Sequence, residues 1–323
     1  MLLKYVNSNR ITVIVLFLLV PLLYWIPSLV HLTPLEPAAN DVTFGKWISV
    51  FSYKYSGLAS FIALLLLIVN GYLLLQLNTV HFFIPYRTQL PLFFYLLLTL
   101  SINQLHQLTP ALVASTLIIL MFYRIFHAYK TEGISLNFVD AGLLISLASL
   151  FYFPAIFFFP ALLTGLVIMR PFIWREWVFA IIGLLIPYGI VFSGYYLLDI
   201  PGSELFRGME NTFTHVSRSL RLSQVVNWSY ILLFTLIGSY YMSKAIDSMK
   251  IHARVFFEMF LVFFLFSVLI FLLVPGSGMP MVYFVAIPLS YLFSHYFIKC
   301  ERNWINELFL DVFLLLFIWQ RIM

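Results

Sequence analysis

The chain has 323 residues, of which 63% are hydrophobic and only 10% charged. Soluble domains average about 25% charged residues, so a soluble globular fold is excluded and a bilayer is the environment that can accept this much apolar surface. The net charge of +5 comes from 18 Lys and Arg scattered singly between apolar runs; they read as topology signals rather than as a nucleic-acid surface. The single cysteine, Cys300, excludes a disulfide framework and any CxxC zinc or redox site.

The predicted architecture is all-α. A single integral membrane domain covers 1–323, a polytopic transmembrane helical bundle of about eleven segments with a cytoplasmic N-terminus. Lys4 and Arg10 precede an apolar run over 11–30, which is long enough to span a bilayer. No small-x-small cleavage site follows it, so it reads as a retained helix and not a signal peptide. The later segments are predicted over 57–77, 91–107, 109–127, 140–154, 156–169, 178–198, 225–244, 255–274, 280–297 and 307–320. With the N-terminus inside, twelve of the 18 Lys and Arg fall on the cytoplasmic side. The other six are Lys46, Lys54, Arg207, Arg218, Arg221 and Arg321, and five of these lie in two long outer loops, about 31–56 and 199–224. This is the positive-inside pattern, and it suits a multi-pass protein of the bacterial inner membrane.

The stretch from Asp140 to Met169 is too short for two full spans. Two helices of about 14 residues reach only about 21 Å each, against a hydrocarbon core of about 30 Å. Phe153-Pro154-Ala155 turns the chain. The expectation is a short paired-helix hairpin, buried among other helices or lining a cavity; the alternative is one long kinked helix.

Candidate functional residues collect on the outer side. The first long loop holds Glu36 and Asp41 close behind the first helix, where a carboxylate can serve as a general base or hold a divalent metal ion. The plain alternative is a solvated loop in which Asn40-Asp41 caps the short helix that follows. In the second loop, positions 206, 209, 213, 216 and 220 are apolar at helical spacing, predicting an amphipathic helix on the membrane surface. Its Arg218 and Arg221 can hold a phosphate or pyrophosphate, or simply face lipid head groups. The outer turn with Asn103, Gln104 and His106 can bind sugar hydroxyls or merely cap and hydrate the hairpin. His106 and His215, with His31 and the two acids, could form an acid–base or metal cluster, but no ligand spacing such as HxxxH supports a metal. Of the acids near membrane depth, Glu258 lies one turn into its segment from the cytoplasmic side, and Asp311, within the last segment, reads as marking a weakly inserted interfacial helix in preference to a proton relay. There is no GxxxxGK[ST], HExxH or GxSxG motif, and no inverted repeat of the transporter kind.

Three stretches carry a resemblance: Ile84-Pro-Tyr-Arg87-Thr88, the run from Gly142 to Pro154, and Arg170-Pro-Phe-Ile-Trp174-Arg175-Glu176-Trp177. In these the chain resembles a family of polytopic membrane proteins of Bacteroidetes that has no assigned activity. More distantly it resembles the membrane module of the C-type glycosyltransferases, which use polyprenyl-phosphate sugars on the non-cytoplasmic face. Glu36 and Asp41 occupy the loop position of that family's catalytic acid, and Gly142 to Pro160 resembles its paired-helix region. The adjacent acidic pair usual in that loop is absent, and no soluble domain follows. The resemblance implies Asp41 as base with Glu36 second, and Arg218 or Arg221 as ligand of a polyprenyl-phosphate-linked donor. The expected partners are membrane lipids, a lipid-linked sugar and other envelope proteins. Two other readings stand beside this one: a lipid or small-solute transporter or flippase, and a non-catalytic scaffold of a cell-envelope assembly.

Overall fold

The computed structural model describes residues 41–84, 88–101, 106–129, 136–169, 172–214 and 249–299, with isolated positions at 21–22, 24–27, 38, 229, 231–232, 235–236, 238–239, 307, 310–312 and 315. The expected segments 11–30, 225–244 and 307–320 lie largely outside these residues.

The described residues are helical almost throughout. In chain order they form α1 (Thr43–Lys54), α2 (Ser56–His81), α3 (Leu90–Leu100), α4 (Pro110–Ala128), α5 (Asn137–Phe151), α6 (Phe159–Met169), α7 (Trp174–Leu197), α8 (Ser203–Thr214), α9 (Ile251–Leu273) and α10 (Val282–Lys299). A 3-10 turn at Phe153–Phe158 joins α5 to α6, and two more at Pro275–Ser277 and Met279–Met281 lead into α10. Among the described residues, five helical stretches are long and apolar enough to cross a bilayer: Ser56–His81, Pro110–Ala128, Trp174–Leu197, Ile251–Leu273 and Met279–Ile298. Leu90–Leu100, Asn137–Phe151 and Phe153–Met169 are shorter apolar stretches. The expectation of a polytopic helical membrane protein is therefore met.

Local chemistry explains the boundaries. Pro110 opens α4 behind Thr109, whose hydroxyl accepts the Leu112 N–H at 3.3 Å, a standard N-cap with proline in the first turn. α2 outruns its predicted end and closes at Phe82, which takes a left-handed φ of 48°. The Asn78 side chain then accepts the Ile84 N–H at 2.9 Å and ties down the chain before Pro85. α7 begins at Trp174, so Arg175 and Trp177 stand inside the helix rather than in the turn before it. α3 ends at Leu100, well short of the predicted 107.

The direction of each helix follows from its contacts. At one end of the bundle Arg124 pairs with Asp140 at 3.3 Å, and Phe256, early in α9, meets His81, Phe126 and Tyr129. At the other end lie α1, α8, the 153–158 turn and the 275–281 turns. α5 thus runs from the first end to the second and stops at Tyr152, where φ −138° and ψ 99° break the helix. α6 returns, with Phe158 stacked on Phe263 at 4.1 Å and Gly165 against Met259. The short paired-helix hairpin is present, and its bend belongs to the end that carries the two long loops, called here the loop face.

Small residues let the helices close on one another. A Cβ on Gly142 would lie 2.2 Å from the Ala180 carbonyl oxygen, and one on Gly183 would lie 2.1 Å from that of Val139. The α5–α7 crossing is therefore a reciprocal backbone contact, with the Ser149 and Tyr188 hydroxyls 2.6 Å apart about two turns further along α5. Such contacts supply packing and hydrogen bonding where lipid offers no hydrophobic drive. In the interior, Asn70 of α2 donates to the Tyr95 hydroxyl of α3 at 3.4 Å and to Ser115 of α4 at 3.2 Å. Between α4, α9 and α10 the space is filled by interlocked rings, among them Phe126–Phe256 and Phe260–Tyr291.

Gly142→Val and Gly183→Val should each lower the thermal midpoint of the detergent-purified protein by the several degrees that overpacking by about 1–3 kcal/mol produces. Gly189→Ala, where no atom lies within 4 Å of the added Cβ, should leave the midpoint unchanged or raise it. Equal effects at all three positions would contradict the crossing.

Candidate functional site

The loop face is built by two short helices lying across the ends of the long ones. α1 is seated by its small side: Gly45, Ser49 and Ser52 are buried. A Cβ on Gly45 would lie 2.4 Å from the Phe151 carbonyl oxygen, so α1 rests on the end of α5. The Tyr195 hydroxyl of α7 reaches the Thr43 hydroxyl at 3.4 Å. α8 is seated in the same manner. A Cβ on Gly208 would lie 3.1 Å from the Asp41 carbonyl oxygen, and one on Gly276 would lie 2.5 Å from that of Thr212. The Phe213 ring also meets Phe153 and Phe157 edge-on, and the Tyr152 hydroxyl donates to the Ser277 carbonyl. The two long loops, separate in sequence, therefore meet through the Asp41–Val42 backbone and Gly208.

Asp41 stands at that junction, two residues before α1. Its N–H donates to the Ala38 carbonyl at 3.0 Å, and the Ala38 N–H donates back to Asp41 Oδ2 at 3.0 Å. Partial burial raises the carboxyl pKa above its ordinary value; hydrogen bonds from Ser49 and Ala38 and the charge of Lys46 oppose this but are smaller. The other described acids of this face, Asp199, Glu204 and Glu210, are exposed. Among the described residues Asp41 is thus the carboxylate of the loop face that is partly withdrawn from water.

His106 is differently placed. It is buried, with its ring 4.5 Å from that of Trp25 and edge-on to Tyr24, and its Nε2 is 3.1 Å from the Leu100 carbonyl oxygen. Trp25 donates to Ser60 at 2.8 Å, and Ser60 donates to the His106 carbonyl at 3.1 Å. These contacts fasten the 106–109 turn to the helical residues at 24–27 and to α2. Glu36, Asn103, Gln104, His215, Arg218 and Arg221 lie outside the described residues. Among the described residues no group of three His, Cys, Asp or Glu is arranged to hold a metal ion.

The amphipathic helix expected over 206–220 is present as α8 over its described part. Its buried residues are Gly208 and Thr212, whereas Phe206 and Phe213 are 61% and 48% exposed. Gly208 and Thr212 seat it on the protein together with the Phe213 edge contacts, while Phe206 and about half of Phe213 face outward, as suits a helix lying in a membrane surface. Sequence reasoning passed over Ser49 and Gly45. Their spacing with Ser52, i, i+4 and i+7, was the available signal for a close-packed face.

The chain belongs to a family of unknown function, DUF6427, which matches residues 44–323. No curated protein matches it. Among solved structures the fold is similar to that of ArnT from Cupriavidus metallidurans bound to undecaprenyl phosphate, with a TM-score of 0.54 and 15% identity. That likeness covers 90% of this chain and 61% of the ArnT chain; this chain therefore spans less than two thirds of ArnT.

A carboxyl whose folded pKa is raised contributes stability when protonated and loses it as pH rises through the folded pKa. Asp41→Asn, which can keep the Ala38 bond, should therefore raise the thermal midpoint at neutral pH. The gain should vanish as pH falls toward the ordinary carboxylate range. A lower midpoint for Asp41→Asn at neutral pH would show that the ionised form is favoured by its surroundings. Separately, Gly276→Val should unseat α8 and increase proteolytic cleavage within 203–214.

Proposed function

We propose that this chain is a lipid-dependent glycosyltransferase of the C-type, working on a lipid-linked sugar at the non-cytoplasmic side of the membrane. In this reading the loop face is that side, and Asp41 is the general base. The observation that carries it is the placing of Asp41: partly buried, in the first long loop, at the junction of the two loops, in a fold similar to that of a protein bound to undecaprenyl phosphate.

The chemistry is a single displacement. The ionised Asp41 carboxylate takes the proton of an acceptor hydroxyl as that oxygen bonds to the anomeric carbon of the sugar. The bond from that carbon to the phosphate oxygen breaks, and the polyprenyl phosphate leaves with the electron pair. Positioned bases of this kind contribute about 10²–10⁴-fold. Glu36 is the second acid of the loop. Arg218 and Arg221 would neutralise the leaving phosphate, for which a guanidinium offers paired donors. Asn103, Gln104 and His215 would meet sugar hydroxyls. No metal ion is required by this scheme. The ring-filled interior between α4, α9 and α10 favours chemistry at the loop face over a route for solutes through the bundle.

Purified protein supplied with a polyprenyl-phosphate-linked sugar and a lipid acceptor should release polyprenyl phosphate. Asp41→Asn should lower that rate by about 10²–10⁴-fold, with protein level retained and the thermal midpoint not lowered. The wild-type rate should fall on acidification at a pH above the ordinary carboxylate range, because the base must be ionised and its pKa is raised. Full activity in both Asp41→Asn and Glu36→Gln would remove catalysis by the first loop.

A further inference from the structure

α1 inverts the usual pattern of an amphipathic helix in a protein. Its buried side is Gly45, Ser49 and Ser52. Its exposed side carries Trp47 at 70%, Val50 at 54% and Tyr53 at 51% exposure, flanked by the exposed Lys46 and Lys54. At about 100° per residue the positions 46, 47, 50, 53 and 54 fall within one stripe. Water is a poor neighbour for this set of rings. A bilayer head-group layer, which takes Trp and Tyr rings and lysine heads together, is a good one.

The surroundings make the match specific. The stripe continues into the outer wall of α2, where Leu58, Phe61, Leu65 and Tyr72 are exposed, so α1 lies where a lipid-facing wall leaves the hydrocarbon. Along α1 and α2 the charge has one sign: no Asp or Glu occurs between Asp41 and Glu132. Asp41 itself is bound to Ala38 and Ser49 and feels Lys46, and the exposed acids of this face, Asp199, Glu204 and Glu210, stand at the end of α7 and on α8. Lys54 is additionally held beside the Tyr55 ring, 5.4 Å from its centre.

We infer that the exposed face of α1 is a docking surface for the anionic phospholipid head groups of the leaflet it adjoins, with Lys46 and Lys54 on the phosphates and Trp47 and Tyr53 at the glycerol level. The inference does not depend on glycosyl transfer. A basic residue near an anionic surface contributes about 1 kcal/mol, a factor of about five per lysine.

The full-length protein, purified in mild detergent, would be equilibrated with phosphatidylglycerol or with phosphatidylcholine, and the lipids retained counted by native mass spectrometry. The wild type should retain phosphatidylglycerol preferentially. Lys46→Gln/Lys54→Gln should weaken that retention by roughly an order of magnitude and leave phosphatidylcholine unchanged, and Lys46→Arg/Lys54→Arg should restore it. In a second measurement, Trp47→Cys in a Cys300→Ser background carries an environment-sensitive fluorophore in phosphatidylglycerol nanodiscs. Its emission should be blue-shifted and quenched by lipids brominated near the head group. Undiminished phosphatidylglycerol retention by the glutamine variant, or water-like emission at position 47, would overturn the inference.

Discussion

Close approach of backbones at small residues is the constraint on which this fold depends. Inside a bilayer an exposed leucine is already solvated by hydrocarbon, so burying it against another helix gains little. What holds such helices together is van der Waals contact and hydrogen bonding, and both improve as axes approach. Gly142 and Gly183 let α5 and α7 touch through each other's carbonyls, and Gly45 lets α1 sit on the end of α5. The outer side of α7 is correspondingly large and apolar: Leu185, Ile190, Phe192 and Tyr196 face outward. The polar contributions lie in the same places, as with Ser149 and Tyr188 beside the α5–α7 crossing.

The same logic continues past the membrane-crossing helices to the two that lie across their ends. α1 and α8 both bury glycine, serine or threonine and expose aromatic side chains. A short helix held by its small side can be set down close to the backbone beneath it, and this is how Asp41 comes to be partly covered. The main-chain carbonyl of Asp41 is the atom that Gly208 approaches, so α8 packs directly on the residue whose carboxyl pKa is raised by burial.

Much of the fold was legible from the sequence because it needs only lengths and charges. The apolar runs, the placing of the two long loops on one face, and the hairpin between Asp140 and Met169 all follow from how far a helix of given length reaches. Ends were less legible. α7 starts at Trp174, where the extended Ile173 backbone gives way to helix, and α3 stops at Leu100; hydropathy averages over such local geometry. The close-packed seats of α1 and α8 were not read. α8 was legible as a surface helix from its apolar stripe, but not that Gly208 and Thr212 would be its buried side. Which of two faces is buried depends on whether the medium outside is water or lipid, and periodicity alone does not report the medium. His106 shows a similar limit: its type and its place in a polar turn were evident, but its enclosure by Trp25 and Tyr24 depends on residues about 80 positions away.

Lys46 and Lys54 of the loop face join these threads. If that face is the non-cytoplasmic one, as proposed, they run against the positive-inside rule. On α1 they share a stripe with Trp47 and Tyr53, and α1 begins two residues after Asp41. A helix fixed in the head-group layer fixes the depth of the residue that precedes it. In a polyprenyl-phosphate sugar the bond to be broken joins the sugar to the phosphate, at head-group depth by virtue of its charge. A base meant to serve that bond must be held at the same level, neither in the hydrocarbon nor free in the aqueous loop. Docking of α1 and partial burial of Asp41 would together accomplish this, one setting the height of the carboxylate and the other its proton affinity.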